Sequence, residues 1–529
     1  MKRIGAAACA LLAGMIVAST MPASAAGVLR IDEVPVGELD PSKASDVADT
    51  LLLFNVYDTL VSPQPGSTGL APHLAESWTV EGNDYTFKLR SEVRFQSGNP
   101  LTADDVVFSM ERMQALDAGV SYLFKTVEKT EAVDPSTVRF TLSAPYAPFV
   151  AGLTRLAIVD SKLVKENLGD GDGEMKDWGQ AYLSAHSAGS GAYAVVSHNP
   201  QEETVMARND GYFLGLAAAA PDTVRLRYGL EAATVRTLIA NGEHDISSQW
   251  LPPEVLKSLA AEGAQLLTES GTGAFYLKMN TTKPPLDDVN CRRALSAAFD
   301  YKAGIRMVAL TDTVALGKPA TGVLPVGMLG SLPAERTLRR DMDAARKYLA
   351  ECRHKPEDFS LELSWIAEVP LEERFALLMQ ANFAELGFKS EIVKVPWALF
   401  TERVGKPENT PHFSQLFTDA ATGDPDALLY QMYHSSVPGT FYSPEHLEDA
   451  EVDQLLDKGR AESDPARRAE IYTALNERLL SLAPTIFAYD RQTVFAGSTR
   501  FTLPPMTDPA KSFGIPTYGL SFRFVEMKP

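Results

Sequence analysis

Tyr85-Thr86-Phe87-Lys88-Leu89-Arg90, followed by Phe95-Gln96-Ser97-Gly98-Asn99-Pro100-Leu101-Thr102-Ala103-Asp104-Asp105-Val106, is the stretch on which the fold turns. Tyr85, Phe87 and Leu89 alternate with Thr86 and Lys88, the two-residue period of a half-buried strand. Phe95 reads as another strand position, and Asn99-Pro100 as the turn after it. Leu101 to Met113 then reads as a helix. Thr102 stands at the cap with Asp105 three residues on, and Val106, Met110 and Met113 form one stripe. Strand, turn and capped helix in so short a span indicate a mixed α/β chain.

The rhythm continues outward. Val138, Phe140 and Leu142 alternate as a strand. Tyr193 to His198 and Glu203 to Ala207 are two more, and Val224 to Tyr228 leads into a helix, Ala232 to Asn241, which Gly242 can close. Beyond about residue 275 the helices lengthen. Leu371, Phe375, Leu378, Asn382, Phe383 and Leu386 keep an amphipathic spacing, with Gly387 as the stop. Leu361 to Ser364, closed by Trp365, and Ile392 to Val395 read as strands. Val452, Leu455, Leu456 and Gly459 begin a helix, and Asp464-Pro465 caps the next. No repeat of fixed period occurs, so the expectation is α/β lobes with mixed sheets.

The N-terminus sets the compartment. Met1-Lys2-Arg3, an apolar run to Ala18 and the small residues Ala23-Ser24-Ala25-Ala26 make a secretory signal peptide over 1–25, with cleavage expected after Ala25. No later stretch is long and apolar enough to span a bilayer. Without Lys2 and Arg3 the chain keeps 47 basic against 68 acidic residues, a net charge of −21. That excess argues against nucleic acid or an anionic membrane surface as partner. Cys9 leaves with the signal. Cys291 and Cys352 remain, either as a disulfide in an oxidising compartment or as two small buried apolar residues.

Several segments in order carry a family resemblance. Asn55-Val56-Tyr57-Asp58-Thr59-Leu60-Val61 is followed by Pro72-His73-Leu74-Ala75-Glu76-Ser77-Trp78 and by the opening stretch. Gly189-Ser190-Gly191-Ala192-Tyr193 and Asn209-Asp210-Gly211-Tyr212-Phe213 come next. Then come Pro285-Leu286-Asp287-Asp288-Val289, Arg292-Arg293-Ala294-Leu295 and Gly423-Asp424-Pro425-Asp426. The series resembles the peptide- and nickel-binding, or family 5, extracellular solute-binding proteins of bacterial ABC importers. The resemblance implies a two-lobe periplasmic binding protein fold (type II, cluster C-like) with two crossing strands and an extra subdomain in the first lobe. Lobe one would cover 26–273, with the subdomain at about 50–170, and resume over 486–529; lobe two would cover 274–485. It also implies a periplasmic monomer that closes over a small-molecule ligand and is read by an ABC permease in the inner membrane, with no cofactor.

Cleft residues follow from the same reading. Aromatic faces suit a ligand. Trp250 comes after a helix and strand where the chain would enter the cleft. Trp365 ends one lobe-two strand, Trp397 follows another, and Phe275 and Tyr276 lie on a crossing strand. Ordinary core packing is the competing reading for each, and Trp78 and Trp178 read as structural. Peptide-binding relatives hold the ligand ammonium with an Asp ahead of the Asp-Pro-Asp segment, and the ligand carboxylate with an Arg before a lobe-two helix. Here the Asp position falls near Ala421, with Asp419 displaced by two residues. Ile366-Ala367-Glu368-Val369 has no Arg, though Arg374 follows. Asp419, Arg374 and Glu33 are therefore the polar candidates, and a simple dipeptide is not the favoured ligand. A peptide-like, opine-like or sugar-containing solute is expected.

An exported hydrolase or a ligand sensor on the same fold is the alternative. No G-x-S-x-G surrounds Ser190 and no H-E-x-x-H occurs. The histidines show no tight ligand spacing. Gly169-Asp170-Gly171-Asp172-Gly173-Glu174 resembles part of a calcium loop, but its last position falls on Ala181. Gly271-Thr272-Gly273 reads as a hinge turn.

Overall fold

A computed structural model describes residues 27–528 except Ser45, Thr68, Pro438, Pro516 and Thr517. The expected signal peptide and its cleavage site lie outside the described residues. Within them no helix is long and apolar enough to cross a membrane.

Three larger sheets, beside two two-stranded ones, organise the described residues. A four-stranded sheet has the order Val28–Glu33, Thr223–Tyr228, Glu203–Arg208, Tyr193–Asn199. Its first pair is parallel and the others antiparallel. A six-stranded sheet runs Gly317–Lys318, Thr485–Gly497, Gln265–Met279, Phe413–Thr418, Ser360–Ile366, Lys389–Val395. A four-stranded antiparallel meander joins Ala75–Glu81, Asp84–Leu89, Thr137–Leu142 and Val127–Asp134. The fold is mixed α/β.

Two strands tie the molecule together. Gln265–Met279 and Thr485–Gly497 are 15 and 13 residues long and run antiparallel. One half of the pair extends the core of Leu29, Ile31, Leu226 and Phe495; the other enters the core of Phe275, Leu295, Phe375 and Phe413. After Gly497 the chain returns to the first of these cores. The Phe522 N–H there donates to Asn55 Oδ1 at 2.7 Å, and Asn55 Nδ2 donates to the Leu520 carbonyl at 3.1 Å.

The expected turn at Gly271-Thr272-Gly273 is instead a bulge inside the continuous strand Gln265–Met279, where the register slips between Ser270 and Ala274. The glycine at 273 is required because a Cβ there would fall against the Thr418 carbonyl. Phe95 also differs from its reading as a strand residue. Its side chain is buried, but its backbone forms a tight turn: Phe95 N–H donates to Asn99 O at 2.9 Å and Gly98 N–H to Phe95 O at 2.8 Å. The helix after it runs Ala103–Leu116 rather than from Leu101, because Thr102 is the cap residue. The Thr102 N–H donates to Asp105 Oδ2 at 2.8 Å. Helices Leu371–Ala384, Ala450–Ala461 and Pro465–Leu482 occupy the amphipathic stretches, and Gly387 has a φ of 90° just past the first of them.

The family-like segments converge on one carboxylate. Asp58 is buried and accepts hydrogen bonds from Ser190 Oγ at 2.6 Å and Tyr212 Oη at 2.8 Å, and pairs with His73 Nε2 at 2.8 Å. Four stretches far apart in sequence are thus held at one point, which explains why their residue types occur together. The meander packs elsewhere: Phe87 and Phe140 share a cluster with Tyr433, Leu456, Tyr472 and Leu475. Tyr146 Oη donates to Asp426 Oδ2 at 3.2 Å across that contact. Asp424 and Asp426 themselves receive Arg468 and Arg460, each through two nitrogens. This Asp-Pro-Asp segment is scaffold.

Candidate functional site

A cavity of about 420 Å³ opens beside the two long strands. One wall comes from Val34, the segment Gln249–Glu254 and residues Arg491–Val494; the other comes from Glu368–Leu371, Arg374, Phe417 and Tyr489. A cavity of about 440 Å³ lies near Tyr301 and Arg340, but its lining, which includes Lys302, Thr337 and Ala488, does not include Trp250 or its neighbours. The first cavity alone has walls from both sides of the crossing strands, so it is the better candidate for a ligand held between lobes.

Local sequence explains the first wall. Ile246 bridges to Ile31 and to Gly497, anchoring the chain on the first sheet. Asp245 Oδ2 accepts the Arg30 N–H at 3.0 Å. The next residues leave the sheet, and Pro253 at the first helical position starts the helix Pro253–Ala261. A proline is suited there because that N–H has no helical partner. Trp250 is carried on the bend and remains 45% exposed. Arg491 lies over its ring, 5.2 Å from the centroid, and 5.9 Å from that of Phe417. The same guanidinium forms an ion pair with Asp419 and donates through Nη2 to Gln249 Oε1 at 3.0 Å.

The expected site residues fall in different places. Trp250 and Arg374 line the cavity. Arg374 is ion-paired with Glu254 of the opposite wall. Asp419 stands behind Arg491, and its Oδ1 accepts the Thr272 N–H at 3.1 Å. Glu33 is buried next to Val34; its Oε1 accepts the Val34 N–H at 2.9 Å and Ser248 Oγ at 3.2 Å. Burial raises its pKa to about 7 against the lowering effect of those two donors. Asp32 is likewise raised to about 7 by burial.

The other aromatics are not among the lining residues. Phe275 is fully buried between Phe375, Phe417 and Tyr489, one layer beneath the cavity wall. Tyr276 points to the opposite face, as successive strand residues do, and its hydroxyl donates to the Val323 carbonyl at 3.3 Å. Trp365 is 6% exposed beneath Lys394, whose Nζ is 5.0 Å from the ring centroid. Trp397 packs on Phe400 and Phe441 at the start of a short helix; its N–H donates to Glu368 Oε2 at 3.1 Å. Sequence reading did not select Arg491, Gln249, Tyr489 or Phe417. One signal was available: the polar run Asp490-Arg491-Gln492-Thr493 lies between two apolar stretches of one strand, and a half-buried arginine there needs a partner.

Cys291, near the start of helix Val289–Ala298, and Cys352, just past helix Met342–Glu351, are joined as a disulfide with Cα atoms 5.2 Å apart. Among the described residues, the one group with metal-ligand proximity is Asp288 with these two cysteines, whose sulfurs are bonded to each other. The acidic loop at 169–174 is closed by Asp177, which accepts the N–H groups of Gly169, Gly179 and Ala181 at 2.8–2.9 Å.

Comparison with known proteins agrees with this architecture. The chain is 27% identical over 497 residues to the probable D,D-dipeptide-binding periplasmic protein DdpA of Escherichia coli, covering 91% of this chain and 92% of that protein. It is 28% identical to heme-binding protein A of Haemophilus influenzae, covering 82% and 81%. The solved structure of HbpA2 from Haemophilus parasuis matches with a TM-score of 0.76 at 26% identity, over 95% of this chain and all of that one. The two-lobe periplasmic binding protein fold is shared. Residues 69–440 match the family described as bacterial extracellular solute-binding proteins, family 5 (middle region), and the chain belongs to that family.

Proposed function

We propose that this chain captures a small polar organic solute between its two lobes in the periplasm and delivers it, as a monomer, to an ABC permease. The observation that carries this reading is the cavity whose walls come from both sides of the two crossing strands. Separating the walls would open the cavity, and a ligand touching both would favour closure, the hinge motion of a binding protein. The name of the relative DdpA and that of the glutathione-binding protein GsiB of Escherichia coli, 26% identical over 506 residues, both denote peptide-like ligands. A peptide-like, opine-like or sugar-containing solute fits the mixed lining of Trp250, Phe417, Gln249 and Arg491. Binding and release without chemical conversion is the proposed activity.

Native mass spectrometry of the purified chain tests the reading by detecting a co-purifying solute. Small-angle scattering should show compaction when that solute is added back to stripped protein. No solute and no compaction across a broad compound screen would overturn it. Trp250→Ala should weaken binding about tenfold, by removal of a large rigid face. Trp78→Ala should leave affinity unchanged, since Trp78 packs on Phe87 in the meander. Trp365→Ala should lower stability rather than affinity, by about 3 kcal/mol as for other buried aromatic truncations.

A further inference from the structure

The cavity of about 440 Å³ near Tyr301 shares no lining residue with the capture cavity. One wall is the helix Tyr301–Val308, with Tyr301 and Ile305 in the lining. These two are four residues apart and so lie on one helix face. Facing lining comes from residues 337–340, among them Leu338. That segment is fastened to its surroundings: the Leu338 N–H donates to the Ala320 carbonyl at 2.9 Å, and Arg340 Nε to the Ala298 carbonyl at 2.8 Å. Ile305 and Leu338 pack on apolar cores yet are only partly buried, so apolar surface is left over. The volume falls in the range of small-molecule pockets, about 300–1,000 Å³.

The charges of this lining do not balance. Lys302, Arg339 and Arg340 stand against one acid, Asp300. In the whole chain acids outnumber bases, 68 to 49, so a basic lining runs against the composition. Asp300 serves its own helix as the cap, and its Oδ1 accepts the Ala303 N–H at 2.8 Å. Arg340 is ion-paired with Glu385, which is not a lining residue. Lys302 and Arg339 are exposed, and among the described residues neither side chain has an ion-pair or hydrogen-bond partner. Apolar walls beside two uncommitted cations complement a molecule with an apolar body and an anionic group.

We infer that this cavity is a second binding site, for a small amphipathic anion. Its hydrocarbon or aromatic body lies against Tyr301, Ile305 and Leu338, and its anionic group is held by Lys302 and Arg339. The inference goes beyond capture between the lobes and does not depend on it. The two cavities have separate walls: Leu316 lines the capture cavity, Ala320 lines this one, and Gly317–Lys318, between them in the chain, pairs with Asp490 and Arg491. Both sites can therefore be filled at once.

Calorimetric titration of the purified chain with octanoate, octan-1-ol and octyltrimethylammonium tests it, because the three share an alkyl chain and differ in charge. Octanoate should bind at one saturable site, and the alcohol and the ammonium at least about tenfold more weakly, as loss of a charge-assisted contact predicts. Lys302→Gln and Arg339→Gln should each weaken octanoate about three- to tenfold. Both residues are exposed, so folding is not at stake in either variant. Hydrogen exchange should show octanoate protecting the helix Tyr301–Val308 and residues 337–340 while leaving Gln249–Glu254 unchanged. No saturable octanoate binding, equal binding of the alcohol or the ammonium, unchanged affinity in both variants, or protection at Gln249–Glu254 in place of the helix would each overturn the inference.

Discussion

Glu33 and Asp58 are both buried carboxyls, and their surroundings push them in opposite directions. For Glu33 burial dominates and raises the pKa from 4.5 to about 7. For Asp58 burial also acts to raise the pKa, but His73, Ser190 and Tyr212 overcome it and hold the group below its ordinary value. The linkage signs are therefore opposite. The stability associated with Glu33 is full below its unfolded pKa of 4.5 and is lost as pH rises through about 7. That loss amounts to roughly 3 kcal/mol. Glu33→Gln keeps an oxygen for Ser248 and Val34 but cannot ionise. Chemical denaturation should find the variant more stable than the parent at about pH 8 and the difference nearly absent at about pH 4. An equal difference at both pH values would show that Glu33 is not held neutral. Asp58 contributes above its unfolded pKa and loses that contribution as pH falls through its lowered value.

Among elements, the helices Val289–Ala298 and Met342–Glu351 are fastened by the Cys291–Cys352 disulfide, which spans a sequence separation of 61. Closing a loop of that length restricts the unfolded chain and contributes about 4 kcal/mol on the chain-entropy estimate. Cys291→Ala with Cys352→Ala should lower the unfolding free energy by about 2–4 kcal/mol, with exchange protection lost first around these helices in hydrogen-exchange measurements. Unchanged protection there would show that the helices are held by packing alone. Element identity was largely legible in the sequence. The two-residue period at Tyr85–Leu89 and the long stripe at Leu371–Leu386 report burial directly. Phe95 was not legible in this way: one buried aromatic says that a side chain enters a core, but not whether its backbone is extended or turned. The bulge at Gly271–Gly273 was read as a turn because glycines permit either, and only pairing with Thr485–Gly497 distinguishes them.

At the scale of the whole molecule, the cavity is bridged by Glu254 and Arg374, from opposite walls. Both side chains are about half exposed, at 52% and 44%. Solvent screening limits such a pair to about 1 kcal/mol or less. Arg374→Ala should raise the ligand dissociation rate about two- to fivefold and change the association rate little, because the pair forms as the walls meet. Stopped-flow fluorescence reads both rates. An unchanged dissociation rate would show that the pair does not help hold the cavity shut. The meander and the helices Asp426–Tyr433, Ala450–Ala461 and Pro465–Leu482 share a continuous apolar cluster. The contact between these elements therefore extends beyond the cavity rim.

The sequence by itself determined the α/β alternation, the order of family-like segments and the acidic balance, because periodicity, turn chemistry and charge are local or additive properties. It also singled out Trp250 and Arg374 as cavity candidates. Tertiary structure alone decided that Asp419 serves Arg491 and that Phe275 and Trp365 are packed within the protein. The reason is physical: whether a charge is free or paired, and whether a ring is a wall or a core, depends on what distant segments place opposite it. Asp419 and Arg491 are brought together only when the strands Phe413–Thr418 and Thr485–Gly497 flank Gln265–Met279.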